Sequence, residues 1–365
     1  MLAAAILVLA ASSCSNDASV GAPTSNPTTP ASGEPPPVTS SAPPSPASEA
    51  KELGIFSEIG GWITFGLQDG IWAVNPTPAR TPTDRIQLSD RPGEPLAWSS
   101  DGSKLLIRRE VSDPNRDPVA DPDFFVLNAD GTETRLTRDR DWITGSISPD
   151  GSKVVYVALL DGHMHIVDTE GGEPRLLLAG QGMLMHPTFS PDGTQIAYFE
   201  GGGDWGNTLR VMSADGSGGR VLFDREFGHV DDLGWSWDGS RLGFHAQYGG
   251  GVWIVGVDGS GLTEVPKGGQ PQWSPTGSRL AFQSAGGIWV INADGSGLRQ
   301  VAPLGRRPVW SPDGSRIAYE RSPGTLETAR WNGSHVQTIG VAESGPWTES
   351  GPWNPLPSSA PGTPD

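Results

Sequence analysis

The sequence predicts an all-β fold, a seven-bladed β-propeller of four-stranded antiparallel blades. Three observations support this: a tight-turn phrase that recurs six times, a second turn about 20 residues after most copies, and short apolar segments between the turns. The phrase reads Trp-Ser-Pro-Asp-Gly with variations, and its copies end at glycines 37 to 49 residues apart: Gly102, Gly151, Gly193, Gly239, Gly277 and Gly314. A period of about 40 residues built from strands and turns is typical of propeller blades.

The first turn follows from the residues that it contains, as in Ser311-Pro312-Asp313-Gly314. Proline presets φ near −65° at the first central position, and aspartate at the second can bond its own backbone. Glycine takes the positive-φ position that a Cβ would penalise. An aromatic strand end precedes the turn and Arg316-Ile-Ala-Tyr319 follows it, which predicts a pair of strands, A and B.

The second turn contains Asp-Gly or Asn-Gly, as in Asn128-Ala-Asp-Gly131 and Asn292-Ala-Asp-Gly295. These dipeptides between apolar runs are strong hairpin signals. Short strands flank the turn, for example Gly287–Ile291 before it and Arg299–Val301 after it. Each repeat therefore predicts four strands joined as A–B–C–D, which is one blade.

The repeats resemble the TolB-type propeller repeat, a WD-repeat-like family. The resemblance is carried by the Trp-Ser-Pro-Asp-Gly turn, by strands such as Ile317-Ala-Tyr319 and by the Asn-Ala-Asp-Gly turn, and it extends over roughly residues 60–350. It implies a propeller fold. By analogy it implies a role in the cell envelope through contacts with other proteins, because TolB-like proteins work in that way.

The number of blades depends on how the ring closes. Trp62–Phe65, Ile71–Val74 and Arg85–Leu88 match strands B, C and D, but no turn phrase precedes them. Either of two similar segments near the other end, Glu343–Trp347 or Glu349–Trp353, can supply the missing strand A. A blade shared by both ends of the chain gives seven blades and leaves no open sheet edge. A six-bladed ring is the alternative.

Charge and composition exclude some function classes. The chain of 365 residues carries 42 acidic and 25 basic residues, a formal net charge of −17, and it has no run of Lys or Arg. Nucleic-acid binding is therefore disfavoured, since phosphate contacts need a basic surface. The 14 tryptophans and 50 glycines suit aromatic-packed sheets with tight turns, and we expect the strand-end tryptophans to pack between blades.

The first residues resemble a bacterial lipoprotein signal. Leu2–Ala11 is an apolar run too short to span a bilayer, and it leads to Cys14, the only cysteine. We expect residues 1–14 to be a signal peptide ending at a lipidated Cys14, residues 15–55 a disordered Ser/Pro/Thr-rich tether, residues 56–354 the propeller and residues 355–365 a disordered tail. The expected location is extracytoplasmic, with lipid anchoring to the bacterial membrane; a plain secretory signal, giving a secreted or periplasmic protein, is the alternative.

The motifs that would carry catalysis or metal binding are weak. The chain has no Gly-x-Ser-x-Gly nucleophile elbow, and its glycine-rich pieces lack the Lys and helix of a phosphate loop. His163 and His165 share one strand face, but we expect His165 to fill a structural position. The acidic loop with Asp113, Asp117, Asp121 and Asp123 does not have calcium-loop spacing. We expect no catalytic residue, no metal and no cofactor.

The irregular loops point to one face of the disc as the binding face. The tight turns are all A–B or C–D turns, so the B–C loops and D-to-A connections form the other, irregular face, where binding usually resides. Residues three positions before the strand-A aromatic should ring the mouth of the central channel. The candidate residues for this binding face are Trp142, Trp205, His186, His229, Asp232, Gln270 and Arg307. A ligand held at the mouth competes with a hydrated channel whose polar groups cap strand ends.

These observations predict a non-catalytic protein-binding or scaffolding module in the cell envelope. The expected partner is a protein or a cell-surface polymer, with no nucleic acid, contact with the membrane through the lipid anchor only, and a monomeric chain. One alternative is a carbohydrate- or peptide-binding sensor. Another is an enzyme acting on a glycan or peptide, which would need His186, Asp232 and His229 within hydrogen-bond reach of one another.

Overall fold

A computed structural model of the chain describes residues 61–76, 85–111, 121–138, 143–158, 161–201, 206–246, 251–265, 267–275, 277, 279–322, 325–340 and 349–353. Across these ranges every regular element is a β-strand, and none of their residues lies in a helix of the length and apolarity that a membrane span requires. The predicted signal peptide with Cys14, the tether and the tail from residue 355 lie outside the described residues.

Among the described residues, 28 strands form seven four-stranded antiparallel sheets, which confirms the seven-bladed propeller over the six-bladed alternative. The strands of the first four blades are β28 (Glu349–Trp353), β1 (Ile63–Leu67), β2 (Gly70–Val74) and β3 (Arg85–Ser89); β4 (Glu94–Trp98), β5 (Lys104–Val111), β6 (Asp121–Asn128) and β7 (Glu133–Arg135); β8 (Ile143–Ile147), β9 (Lys153–Ala158), β10 (His163–Asp168) and β11 (Arg175–Leu178); and β12 (Met183–Phe189), β13 (Gln195–Gly201), β14 (Gly206–Ser213) and β15 (Arg220–Glu226).

The last three blades repeat the same order. Their strands are β16 (Val230–Trp235), β17 (Arg241–Ala246), β18 (Gly251–Gly256) and β19 (Thr263–Val265); β20 (Gly269–Trp273), β21 (Arg279–Ser284), β22 (Gly287–Asn292) and β23 (Arg299–Ala302); and β24 (Arg306–Trp310), β25 (Arg316–Ser322), β26 (Thr325–Arg330) and β27 (Gln337–Gly340). The A strands of successive blades contact each other in a closed circle, from β28 through β4, β8, β12, β16, β20 and β24 back to β28. They therefore surround the channel.

The core lies between the blades. Each of the seven hydrophobic clusters in the described residues joins two neighbouring blades, so the ring has an apolar seam at every interface. Strand-end tryptophans tie these seams as expected: the indole N–H of Trp310 donates to the carbonyl of Gln272 in the preceding blade (2.9 Å), and Trp273 donates to Gly234 (3.2 Å). Trp235 is fully buried.

The two ends of the chain close the ring in the first blade. β28 pairs antiparallel with β1, with Ile63 opposite Trp353 and Phe65 opposite Ser350. The second of the two similar segments thus supplies strand A, while the first, residues 343–347, lies outside the described residues. Ile63 and Phe65 are buried against Leu326 and Ile339 of the seventh blade, so closure also completes the last apolar seam.

The recurring turn is held by a serine–aspartate hydrogen-bond pattern. In the seventh blade the Ser311 hydroxyl donates to Asp313 Oδ1 (2.6 Å), Asp313 accepts from the backbone N–H of Ser315 (3.0 Å), and Ser311 Oγ accepts from the N–H of Arg316 (2.9 Å). Gly314 has φ 66°. Burial raises the pKa of Asp313, but these hydrogen bonds outweigh burial and leave the pKa below its usual value.

The same pattern is present in four more blades, where serine donates to aspartate at 2.5 to 2.7 Å: Ser99 to Asp101, Ser148 to Asp150, Ser190 to Asp192 and Ser236 to Asp238. The sixth blade has Thr276 at the aspartate position. There the Ser274 hydroxyl is buried without a hydrogen-bond partner among the described residues. The aspartate therefore explains why the phrase recurs: it satisfies a hydroxyl that the fold buries.

Candidate binding site at the channel mouth

Four consecutive A strands carry an irregularity at the same position. His186, Asp232, Gln270 and Arg307 have φ of 49°, 55°, 55° and 53°, and the pairing register of each strand shifts there. Non-glycine residues pay about 1–2 kcal/mol for this left-handed conformation. Such strain persists only where the surroundings enforce it, and it is often found at functional sites. These four sequence-predicted residues thus lie at equivalent β-bulges of four neighbouring blades.

At these bulges a backbone N–H of one blade donates a hydrogen bond to a side chain of the preceding blade. The Gln270 side-chain carbonyl accepts a hydrogen bond from the backbone N–H of Arg307 (3.0 Å), and the Thr144 hydroxyl accepts one from the N–H of His186 (3.3 Å). The Asp232 carboxyl likewise accepts from the backbone of Gln270. Arg307 lies 3.5 Å from Glu320 of its own blade. Gln270 and Asp232 thus have structural partners, as expected for strand-end caps.

A second set of contacts converges on Asp231. His229 Nδ1 lies 3.0 Å and His245 Nδ1 3.8 Å from Asp231 Oδ2, and His186 Nε2 lies 3.8 Å from Asp231 Oδ1. His186 comes from the fourth blade and the other three residues from the fifth, so the cluster spans the seam between these blades. We call these four residues the Asp231 cluster.

Sequence reasoning placed His186 and His229 at the mouth but missed His245. His245 lies on β17, directly opposite Asp231 in the pairing of β16 with β17. The bulge at Asp232 creates this pairing, because uninterrupted alternation from Trp235 opposite Leu242 would place His245 opposite Asp232 instead. The expected pairing of β16 with β17 could have placed His245 near these residues from the sequence. The bulge shifts that pairing by one residue, so His245 lies opposite Asp231 and not opposite Asp232.

Burial and charge set different protonation states within this region. Burial lowers the pKa of His186 to about 4, against the attraction of the Asp231 charge, so His186 is neutral at pH 7. Burial would raise the pKa of Asp231, but the imidazoles of His245, His186 and His229 outweigh it and leave that pKa below its usual value. Burial, followed by the charge of Asp231, raises the pKa of Asp232 well above its usual value.

The Asp231 cluster contains two buried atoms without hydrogen-bond partners among the described residues, Asp231 Oδ1 and His186 Nδ1. His186 is 3% exposed, whereas the His229 side chain is 46% exposed. The cluster therefore reaches from solvent into the seam. Among the described residues, no group of three or more His, Cys, Asp or Glu side chains has an arrangement that could hold a metal ion.

The three residues of the alternative catalytic site, His186, Asp232 and His229, do not face one another in the structure. His186 and His229 face Asp231, while the Asp232 carboxyl faces the backbone of Gln270 in the next blade. The mouth thus brings the two histidines to a carboxylate other than the one that sequence reasoning selected. Trp142 and Trp205 of the predicted binding face lie outside the described residues.

The exposed edge of the mouth has its own pattern. Each of the four bulge residues is preceded, three positions earlier, by an exposed side chain: Met183, His229, Lys267 and Leu304. Met183 and Leu304 are both 50% exposed. We call these four residues the rim. It combines two large apolar side chains with two basic ones around the polar mouth.

Other polar groups singled out in the sequence have structural partners. His165 Nε2 lies 2.9 Å from Asp161 Oδ2 and its ring stacks on Tyr156, which agrees with the structural position expected for it. Asp123 is fully buried and pairs with Arg135 and with the Thr137 hydroxyl.

A cleft of about 500 Å³ lies on the tight-turn side of the ring, where Arg220 and Arg241 donate to the backbone carbonyls of Val257 and Ala293.

Comparisons with known proteins agree with this architecture. The family described as TolB beta propeller domain matches residues 161–355, just over half of the chain. An uncharacterized protein of Agrobacterium fabrum is 27% identical over an alignment of 197 residues that covers 51% of this chain and 64% of that protein. The chain thus spans less than two thirds of that curated relative.

Solved structures of similar fold share little sequence with this chain. TolB from Acinetobacter baumannii is 16% identical with a TM-score of 0.51, covering 70% of this chain and 67% of TolB. An oligogalacturonate lyase in complex with manganese is 17% identical with a TM-score of 0.54, covering 66% and 74%. The oligogalacturonate lyase of Vibrio parahaemolyticus is 16% identical with a TM-score of 0.53, covering 76% and 84%. At these identities the likeness concerns the fold alone.

Proposed function

The chain belongs to the family of the TolB beta propeller domain, and on that premise we propose that it is a non-catalytic protein-binding module of the bacterial cell envelope. The partner is a protein that docks on the rim and covers the channel mouth. The observation that carries this proposal is the rim itself, where half-exposed Met183 and Leu304 lie at equivalent positions beside the polar mouth. Exposed apolar side chains next to polar groups are typical of protein interaction surfaces.

The basic members of the rim, His229 and Lys267, lie between its apolar members Met183 and Leu304 along the ring. They lie on a chain of net charge −17, so the rim differs in charge from the protein as a whole. A partner surface with apolar contacts and some acidic groups fits this pattern. The orientation of the disc follows: the rim faces the partner, and the tight turns face away from it.

The location of the module is also a proposal. Leu2–Ala11 followed by Cys14 supports lipid anchoring, and a tether over residues 15–55 would carry the propeller on the order of 100 Å from the membrane at about 3 Å per residue. Replacing Cys14 by Ser should abolish metabolic labelling with a fatty acid and release the protein from the membrane fraction. Labelling that persists in the variant would contradict the anchor without affecting the rim.

Site-specific photo-crosslinking in the native host tests the docking face. A photoreactive amino acid at position 304 should capture one defined partner, and the matched control is position 298. Leu298 is 54% exposed, close to the 50% of Leu304, but it lies beside a C–D turn on the opposite side of the disc. Equal capture at both positions, or capture only at 298, would overturn the proposed face.

A screen against small molecules separates this function from the sensor and enzyme alternatives. Thermal unfolding of the purified chain with sugars, oligogalacturonides, peptides and divalent cations should show no large stabilisation by a sugar. A ligand at 100 times its Kd would add about 2.7 kcal/mol, which is readily seen as a shift in Tm. Such a shift with a sugar, together with loss of photo-crosslinking at 304, would favour the sensor.

A further inference from the structure

The cleft on the tight-turn side of the ring lies at the seam between the fourth and fifth blades. We propose that it binds a small zwitterion, a free α-amino acid or a dipeptide, between Arg220 and Asp258. This inference goes beyond the proposed function, because the cleft lies on the side of the disc opposite the rim. Its volume of about 500 Å³ is within the range of about 300–1,000 Å³ that is usual for small-molecule sites.

The cleft is open because one position of the repeat is changed in the fourth blade. The first residue of strand B is Lys or Arg in five of the six blades that carry the turn phrase, and it is Gln195 in the fourth. Three of these cationic side chains contact the C–D turn of the next blade: Lys104 donates to the Thr169 hydroxyl (2.7 Å), Arg241 donates to the carbonyl of Ala293 (2.9 Å), and Arg279 lies 4.0 Å from the ring centre of Trp331. The shorter Gln195 side chain makes no hydrogen bond to the described residues, and it lines the cleft instead.

A second change of the repeat widens the same space from the other wall. The last residue of strand C is Gly256 in the fifth blade, whereas the other blades with the turn phrase have a residue with a side chain there: Asn128, Asp168, Ser213, Asn292 and Arg330. A Cβ at Gly256 would lie 2.6 Å from Asp258 Oδ1. The glycine thus lets the Asp258 carboxylate lie against the wall of the cleft, which the two changes open together.

Groups of opposite charge line the two walls. Arg220 of the fourth blade donates from one guanidinium nitrogen to the carbonyl of Val257 (2.7 Å), which is its one side-chain hydrogen bond among the described residues. Asp258 of the fifth blade accepts through Oδ1 from the backbone N–H (2.9 Å) and the hydroxyl (2.6 Å) of Ser260. These two hydrogen bonds, and to a smaller extent the charge of Arg220, lower the pKa of Asp258, so its carboxylate is ionised at pH 7. The other guanidinium nitrogens and Asp258 Oδ2 can therefore bind a ligand.

The two charges select a zwitterion. A simple anion would be attracted by Arg220 and repelled by Asp258, and a simple cation would experience the reverse. An α-amino acid carries a carboxylate that accepts from a guanidinium and an ammonium that donates to a carboxylate. The Gln195 amide offers a donor and an acceptor, which suits the peptide group of a dipeptide. Arg241 also lines the cleft, but its guanidinium donates to Ala293 of the sixth blade.

Titration of the full chain with small probes, followed by NMR or calorimetry, tests the chemistry of the ligand. L-alanine and L-alanyl-L-alanine carry both charges, their N-acetylated forms lack the ammonium, and their carboxamide forms lack the carboxylate. We expect at least one of the two zwitterions to bind, and its blocked forms to bind at least about tenfold more weakly because each loses a charge-assisted hydrogen bond. The comparison of alanine with the dipeptide identifies the source of the zwitterion.

Asp258→Asn tests the carboxylate. It should weaken binding of the zwitterion at least about tenfold while the turn stays folded. The seventh blade shows that the turn accepts this residue, because Asn332 at the same position accepts from the N–H (3.0 Å) and the hydroxyl (2.6 Å) of Ser334. Asp294→Asn is the matched control, since Asp294 holds Ser296 in the same way in the sixth blade, and it should leave binding unchanged.

Gln195→Arg tests the cleft itself. The longer side chain restores the residue type of the other blades and should fill the space as Arg241 does at the next seam, so we expect loss of binding with no fall in Tm. Lys153→Gln is its matched control. It places the same amide at the equivalent position of the third blade, and it should leave binding unchanged.

Several outcomes would overturn the zwitterion site: no binding of any probe, equal binding of the blocked forms, or unchanged binding in both Asp258→Asn and Gln195→Arg. Binding of D-glucose that Gln195→Arg abolishes would also overturn it, since the ligand would then be a neutral polyol. If photo-crosslinking at position 304 captures a partner while no probe binds, the zwitterion site is wrong and the protein-binding function stands. If alanine or the dipeptide binds as expected and position 304 captures nothing, the reverse holds.

Discussion

The side-chain carbonyl of Gln270 accepts a 3.0 Å hydrogen bond from the backbone N–H of Arg307, so one innermost strand is held by a side chain of the strand before it. Both residues have a positive φ, of 55° and 53°. The strained backbone at Gln270 and Arg307 is therefore linked to a hydrogen bond across a blade interface. Mutation of Gln270 can measure the strain and the hydrogen bond separately.

Replacing Gln270 by Ala or by Gly separates the contact from the strain. Gln270→Ala loses the hydrogen bond and keeps the strained φ, so it should lower the free energy of unfolding by about 1–2 kcal/mol. Gln270→Gly loses the same bond but relieves the strain, and it should be about 0.5–1 kcal/mol more stable than the alanine variant despite the extra entropy of its unfolded chain. Urea unfolding of both variants measures the difference, and equal stability would show that the φ carries no cost.

Thr276→Asp should stabilise the protein. The Ser274 hydroxyl is buried without a partner in the described residues, whereas five other blades supply an aspartate for this hydroxyl. We expect a gain of about 0.5–1.5 kcal/mol in the free energy of unfolding, the usual net value of a hydrogen bond. The reciprocal change Asp313→Thr should cost a similar amount, and thermal unfolding compares the two. No gain in the first variant combined with no loss in the second would contradict the assigned role of the aspartate.

The stability of the propeller should fall with acid because of His186. Its pKa is about 4 when folded, below the 6.5 of an unperturbed histidine, so between these values the unfolded chain binds a proton that the folded chain does not. Stability from this group is complete above pH 6.5 and is lost as the pH falls toward 4. At pH 4.5 the loss is about 2–3 kcal/mol by linkage.

The variant His186→Asn isolates this contribution. It cannot titrate, and it should lose less stability than the natural protein between pH 7 and pH 4.5. Asp231, His229 and His245 are present in both proteins, but the variant also removes the His186 contact that helps to lower the pKa of Asp231, so the difference between the two pH profiles reports His186 together with its coupling to Asp231. Parallel profiles would mean that the buried ring already carries a proton in the folded state.

Truncation from the carboxyl end tests the closure. A chain that ends at residue 342 lacks both copies of the closing segment, and we expect a lower Tm and self-association through the exposed edge of β1. A chain that ends at residue 348 keeps residues 343–347, which are displaced by six positions from Glu349–Trp353. Because six is even, the displaced copy presents the same alternation of faces, and we expect partial rescue. Thermal unfolding and size-exclusion chromatography compare the chains; full stability at 342 would contradict closure by β28.

The architecture was predictable because the conformation of each turn is determined by residues within the turn itself. Ser311, Asp313 and Gly314 bond among themselves, so the phrase marks the turn wherever it occurs. The closing strand was predictable as one of two segments, and the pairing of β28 with β1 selects the second. The choice between them depended on tertiary pairing, which the near-identical sequences do not encode.

The candidate site was only partly predictable. The register of the repeat located His186, Asp232, Gln270 and Arg307, but it gave no indication of their positive φ. His186, Gln270 and Arg307 each precede a proline, which favours extended backbone at that position, and the structure departs from this preference. Contacts with the neighbouring blade enforce the departure, and the bulge that results brings Asp231 to His245.

The composite first blade gives the ring a mechanical polarity. Among the described strands, β1 is hydrogen-bonded on both sides, to β28 and to β2, while β28 is hydrogen-bonded to β1 alone. Tension on the segment before Gly61 meets two ladders at once, whereas tension on the segment after Trp353 meets one. A force applied at the amino-terminal end would thus act on β1, which two neighbouring strands hold. The ring would open at a lower force when it is pulled from the carboxyl-terminal end, which acts on β28.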